Sequence, residues 1–326
     1  MTRRAAREAR AEVDASLGAR VVSRTPLLYT HGPDLSLDRP AHVRAGSALT
    51  RLGCGRLAVV QDDASFLGLV DPETQACTGL PLPADGGVRL FDDTRGNKKR
   101  KLDLEACILT ADGAMLAFGS GSTSTRERIV RVKDDHVEVV DAGALYAAMR
   151  AERSFSGSSL NVEGAALVGD DVVFFQRGNG GEPGALDATA RVSVDALLAY
   201  LDRRGPPPAL RGVVGWDLGV SADGVRITFT DGAVAPGGSL AFLACAEASP
   251  DVTRDGPVSA VCIGRLDDRA RECRIGVVID EHDAPLLDKT EGLLFAAERR
   301  AWVVVDKDDP AAPSELLVLE LGPGWR

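Results

Sequence analysis

Basic surface is what this 326-residue sequence has little of: 38 Lys and Arg stand against 48 Asp and Glu, a net charge of −10. A general nucleic-acid binder needs a basic face for phosphates, so that class is excluded. The one basic cluster, "NKKRK" at Asn97 to Lys101, has the look of a solvated loop. Long apolar runs are also missing. None approaches the ~20 residues of a membrane span, and the charged N-terminus has no apolar segment of the kind a secretory signal carries. Cytoplasmic residence with reduced cysteines is the expectation. The six cysteines include no C-x-x-C pair. Cys107, Cys245 and Cys262 sit in apolar runs as small buried hydrophobes, which argues against zinc. His31, His42, His136 and His282 follow no metal or catalytic spacing, and there is no G-x-S-x-G nucleophile motif.

Helical signals are few. Gly143 to Arg150 is one, and Ser193 to Pro208, with Ser193 as N-cap and three prolines as the stop, is the other. Most of the remainder is apolar runs of four to eight residues punctuated by "GCG", "ADG", "GDD" and "PGG". That pattern predicts an all-β meander, and a repeat makes it specific. Five segments begin on a polar head, run through two apolar strands joined by a turn, and end in a second polar cluster. The heads are Ser47, Glu105, Glu163, Asp231 and Glu291, at spacings of 58, 58, 68 and 60 residues. A β repeat of that length predicts propeller blades of four strands each. The count is five, or six if the runs at 212–220, 225–229 and 273–279 regroup. The last blade is one strand short, and Arg24 to Thr30 is the strand expected to close the ring. Residues 1–20 are expected as a polar, helical tail and 21–326 as a single β-propeller domain.

In a propeller the first strand of each blade lines the central channel and the second returns antiparallel. The five heads therefore form one ring. The second strands deliver Asp62, Asp63, Ser120, Ser122, Arg177, Asn179, Glu247 and Asp306 to the same mouth. Four carboxylates in a narrow channel repel one another, and desolvation adds to the cost. Either some are protonated or a cation neutralises them. Oxygen-only donors suit a hard cation, calcium before magnesium, with Ser47 as a neutral ligand. The competing expectation is structural: polar strand heads bond loops and channel waters and keep blades in register. "GSGSTSTRER" (Gly119 to Arg128) could cradle a phosphate, but it lacks the Walker lysine and fits a blade-top loop better.

The segments "ALTRLGCGRLAVVQDD", "LDLEACILTADGAMLAFGSGS", "NVEGAALVGDDVVFFQRG", "GSLAFLACAE" and "KTEGLLF" resemble successive blades of the calcium-activated nucleotidases, the apyrase-like five-bladed propellers. They are similar too to the bacterial phytase-like and esterase-like propellers. The first resemblance implies a calcium ion held in the channel by one residue per blade, and hydrolysis of nucleoside di- and triphosphates. Carried over by motif, its ligands are Ser47, Glu105, Glu163 and Glu291, with Asp231 or Thr230 from the remaining blade. Ala106 and Val162 depart from the nucleotidase pattern. The expected activity is metal-dependent hydrolysis of a phosphoester or phosphoanhydride in a small anionic or polyol ligand. Arg177 and Lys101 would offset substrate charge, and Asp62, Glu247 or Asp306 would act as base. Two alternatives stand beside it: a non-catalytic propeller that binds a ligand or protein partner, and a lactone or carboxyl-ester hydrolase on the same metal.

Overall fold

The computed structural model describes residues 8–134, 136–178, 183–248, 256–297 and 299–325. Two N-terminal strands, β1 (Ala9–Val13) and β2 (Ala19–Pro26), precede the repeats. The first meander is β3 (Gly46–Arg51), β4 (Leu57–Gln61), β5 (Phe66–Val70) and β6 (Cys77–Pro81). The second is β7 (Leu104–Leu109), β8 (Met115–Gly119), β9 (Arg128–Lys133) and β10 (His136–Asp141). The third is β11 (Val162–Val168), β12 (Asp171–Gln176), β13 (Asp187–Ser193) and β14 (Arg211–Asp217). The fourth is β15 (Ile227–Val234), β16 (Leu240–Glu247), β17 (Val258–Asp267) and β18 (Glu272–Ile279). The last is β19 (Lys289–Ala297), β20 (Arg300–Asp306) and β21 (Glu315–Leu321). Within every meander consecutive strands pair antiparallel.

The first strands meet in a closed cycle: β3 on β7, β7 on β11, β11 on β15, β15 on β19 and β19 back on β3. That cycle is the inner wall of a β-propeller, and it explains the apolar runs. Strands β4, β8 and β16 are buried along their whole length because each meander is covered on both faces by its neighbours, so strict alternation is lost. Outer strand β10 is half exposed and alternates.

The N-terminal closure forms a few residues earlier than the sequence suggests. Strand β2 pairs antiparallel with β21 and supplies the fourth strand of the last meander; of the expected Arg24 to Thr30, Arg24 to Pro26 lie in it and the rest follow it. The expected helical tail is likewise a strand from Ala9 onward. It lies parallel between β14 and β18, with Ala9 and Ala11 packed on the core beneath them. The two outer strands present open edges, and "ARAEV", small on one side and charged on the other, satisfies both. The expected helices form as α1 (Gly143–Ala151) and α3 (Val194–Leu201), with the short α2 (Arg153–Ser156) between them. Ser193 Oγ caps α3 by accepting from Ala196 N, and both longer helices cover the core of the second and third meanders. No described helix is long and apolar enough to cross a membrane.

Candidate functional site

At the head of each first strand the pairing register slips by one residue. The extra residues are Ser47, Glu105, Glu163, Thr230 and Glu291. A bulge re-aims the side chain it inserts, here off the sheet and toward the axis. Period-two alternation adds the residue two positions earlier. The repeating unit is thus a triad: Ala45-Gly46-Ser47, Asp103-Leu104-Glu105, Asn161-Val162-Glu163, Thr228-Phe229-Thr230 and Lys289-Thr290-Glu291.

The fourth head is therefore Thr230, and Asp231 stands one position past it. The Asp231 carboxylate accepts from Leu293 N at 2.7 Å and Gly232 N at 2.7 Å, which ties β15 to β19. Glycine follows two of the heads, Glu163 and Glu291, where backbones approach closely. A Cβ at Gly164 would stand 2.5 Å from Gly232 N, and one at Gly292 would stand 2.8 Å from the Ala48 carbonyl carbon.

The acidic heads converge. Glu163, from the third meander, feels Arg177 of its own meander, Lys289 of the last and Asp103 of the second. Burial, then this company, sets the protonation of the ring. Burial and the charges of Asp62, Asp103 and Glu163 push Glu105 well above the usual carboxylate range. Glu291 is pushed well up by burial against the pull of Lys289, with Glu163 adding repulsion. Glu163 rises to about 7, mainly by burial, with Arg177 and Lys289 opposing. Burial also raises Asp62, and it lifts Asp63 to about 7 with help from Asp62. Asp103 is the exception: burial works to raise it, but Lys101 and Arg126 together hold it below its ordinary value.

The ends of the second strands lie among basic groups, so that positive charge at these carboxylates comes from the protein itself. Lys101 Nζ lies 2.5 Å from Asp62 Oδ2 and 2.7 Å from Asp103 Oδ1. Arg126 reaches Asp103 at 2.9 Å and Ser122 Oγ at 2.9 Å, while Ser120 Oγ donates to Asp103 at 2.5 Å. Arg177 binds Glu247 at 2.6 Å and Thr228 Oγ1 at 3.1 Å, and it stands 3.8 Å from Glu163. Lys289 lies 3.6 Å from Glu291, 3.6 Å from Asp306 and 2.9 Å from Asp308. Arg44 pairs with Asp63 and Asp92. Lys101 and Arg177, expected to face substrate, are instead bound to carboxylates. Asn179 lies outside the described residues.

Sequence reasoning missed several members of this network. Asp103, Asn161 and Lys289 were legible as the partners two residues before each glutamate. Gln61 and Gln176 close the second strands: each side-chain carbonyl accepts a backbone N–H, from Arg44 and Asn161, at 2.8 Å. Their shared place before Asp62 and Arg177, in "QDD" and "QRG", was the available signal. "NKKRK" is only partly a solvated loop, since its last residue, Lys101, is 5% exposed.

Several buried oxygens have no hydrogen-bond partner: Glu291 Oε2, Thr230 Oγ1, Thr290 Oγ1 and Asp63 Oδ1. A buried acceptor left unmade carries the full desolvation penalty. Ser47 Oγ, by contrast, donates to Leu104 O at 2.5 Å. Asp62, Asp103 and Glu105 each place a carboxylate oxygen within 4.8 Å of the others. The donor set is all oxygen and rich in carboxylate, which fits a hard cation.

No curated protein matches the chain. Among solved structures it is similar to MPT-4, a mannose phosphorylase from Leishmania mexicana in complex with phosphate ion. The two are 13% identical over 92% of this chain and 88% of that one, with a TM-score of 0.48. It is similar also to XC5397, a gluconolactonase from Xanthomonas campestris, at 11% identity over 93% and 97% of the two chains and a TM-score of 0.43. A third is the aldose sugar dehydrogenase from Streptomyces coelicolor in its PQQ-bound form, at 13% identity over 92% and 98%, with a TM-score of 0.42. Residues 42–321 match a family of unknown function, DUF6929, and the chain belongs to that family.

Proposed function

We propose that the meanders are the blades of a five-bladed ring whose axis holds one hard divalent cation, calcium before magnesium. A small anionic or polyol ligand binds at the mouth and is hydrolysed there at a phosphoester or phosphoanhydride bond, as in the apyrase-like and phytase-like propellers that the blades resemble. One observation carries the cation: Glu291, 4% exposed, turns an unpartnered Oε2 into a ring that also contains Glu163 and the unpartnered Thr230 hydroxyl. Glu105, Glu163 and Glu291 would hold the ion, with the Thr230 and Ser47 hydroxyls as neutral donors. Such an ion supplies charge neutralisation and polarises a phosphoryl oxygen.

The chain's own groups divide the remaining work. Asp62 and Asp306 end the second strands at the mouth, part-exposed and held by Lys101 and Lys289, and either is placed to take a proton from water. Glu247 also accepts from Gly256 N at 2.8 Å and fixes Arg177 rather than serving as base. The test is phosphate release from nucleotides and sugar phosphates with calcium present, and its loss in Asp306→Asn and Glu163→Gln. Absence of release from every substrate ends the catalytic half. Lactones and carboxyl esters in the same panel test hydrolysis of a different bond. The six cysteines, free of disulfides, support a cytoplasmic setting.

A specific observation favours a second reading, a non-catalytic propeller that binds a ligand or protein. Arg44, Lys101, Arg126, Arg177 and Lys289 are each paired with carboxylate, so an incoming phosphate must displace one. Under this reading Glu163→Gln changes stability, and there is no turnover to abolish.

A further inference from the structure

Among the described residues the mouth contains one place where three carboxylate oxygens crowd closely enough to hold a cation, and a second place where a buried carboxylate oxygen is unpartnered. Around Glu163 and Glu291 an oxygen is left without a partner. Around Asp62, Asp103 and Glu105 three carboxylate oxygens lie within 4.8 Å of one another. That is the span of oxygens sharing one divalent ion at ~2.3–2.6 Å each. Lys101 Nζ is already there, at 2.5 Å from Asp62 and 2.7 Å from Asp103, and its charge acts on Glu105 as well.

The local chain is built to deliver this ammonium. Lys98 to Arg100 form a short helical turn at the surface, and Lys101 N donates back to Lys98 O, so only the last residue of the basic run enters the mouth. The acceptors are fixed independently. Asp103 is held by Arg126 and Ser120 Oγ, and Gln61, whose Nε2 donates to Phe66 O at 2.9 Å, anchors the strand end before Asp62. Asp103 is thus held by groups other than the ammonium, and the strand backbones place Asp62 and Glu105 beside it.

We propose that Lys101 is a resident cation: its tethered ammonium occupies a position that a divalent ion would otherwise take. The mouth then has capacity for one exchangeable cation instead of two. An ammonium donates three hydrogen bonds and accepts none, so it satisfies carboxylates as an ion does. Unlike an ion it cannot be chelated or diluted away. This inference shares Glu105 with the proposed axial ion, but it rests on the geometry of Asp62, Asp103 and Lys101 and is counted separately in the test.

The test counts ions. The full-length chain is stripped with chelator, titrated calorimetrically with calcium and checked by elemental analysis, as wild type, Lys101→Gln and Lys101→Arg. Lys101→Gln is expected to bind one more calcium per chain than wild type. It should melt lower than wild type in chelator and recover most of that loss in millimolar calcium. Lys101→Arg keeps a charge in place and is expected to match the wild-type count. A purely packing role for Lys101 would lower the melting temperature without making it respond to calcium. The double variant Asp62→Asn/Lys101→Gln keeps the net charge of the wild-type cluster and two of its carboxylates, so it covers failure of the single variant to fold. It is expected to gain a weaker calcium response. An unchanged count in both variants overturns the proposal. A wild-type count of zero with a gain of one in Lys101→Gln ends the axial ion and leaves this inference standing.

Discussion

Replacing Arg177 with methionine isolates the role of the protein's own cations, because the stem length is kept while the charge is lost. In the native protein the Arg177 side chain is 8% exposed, and it faces Glu247 at 2% and Glu163 at 8%. Removing one partner of a buried pair costs about 3–5 kcal/mol because the other charge is stranded. Two features pull the estimate to the low end. Glu247 keeps the Gly256 N–H, and Glu163 keeps the Asn161 amide and can take a proton, since its native pKa is about 7. The expected loss is about 3 kcal/mol at pH 8, or roughly 6 °C at ~2 °C per kcal/mol for a chain of this size. Below pH 6 a protonated Glu163 no longer strands its charge, and the loss shrinks. Melting curves recorded without divalent ions at pH 8 and pH 5.5 read both quantities. A variant within about 1 °C of wild type at pH 8, or one equally destabilised at both pH values, would refute the reasoning.

Three further outcomes follow from the same geometry. Glu163 is raised from an ordinary value near 4.5 to about 7, so the native state holds a proton that the unfolded chain releases first. That stabilisation is complete below about pH 4.5 and is lost as pH rises through 7. It amounts to about 3 kcal/mol. The difference in melting temperature between wild type and Glu163→Gln should slope accordingly over that window in the absence of divalent ions, and a flat difference contradicts the assignment. Thr230→Val removes a buried hydroxyl without a partner, so it should leave stability unchanged or raise it while weakening calcium binding; clear destabilisation in chelator would show that the hydroxyl is satisfied. Asp231→Asn leaves one of the two backbone amides poorly met and should cost about 1–3 kcal/mol with calcium binding unchanged. Loss of binding there would return Asp231 to the ligand set.

The heads Glu105, Glu163 and Glu291 were legible because strand period and repeat length agree: polar residues at fixed intervals ahead of apolar runs have few other places to go in a β repeat. The choice between Asp231 and Thr230 stayed open because the aspartate is the more conspicuous of the two neighbours. The bulge that selects between them is a pairing property, visible only when β15 is laid against β16. The triad rhythm of Thr228-Phe229-Thr230 against Asn161-Val162-Glu163 would have pointed to Thr230. The cations were harder. Lys101 bridges Asp62 of the first meander and Asp103 of the second, and nothing local in "NKKRK" distinguishes its buried last residue from its exposed neighbours. Strand β1 escaped notice because an edge-covering strand buries little of itself, so "ARAEV" carries no hydrophobic signature.

The account depends on the acidic heads meeting at one axis with room for an exchangeable cation. Calcium titration of the chelator-stripped chain, wild type against Glu291→Gln, tests this most directly. One calcium per chain in wild type, absent from Glu291→Gln, is the predicted result. No bound ion in wild type, or equal binding by both proteins, would contradict it.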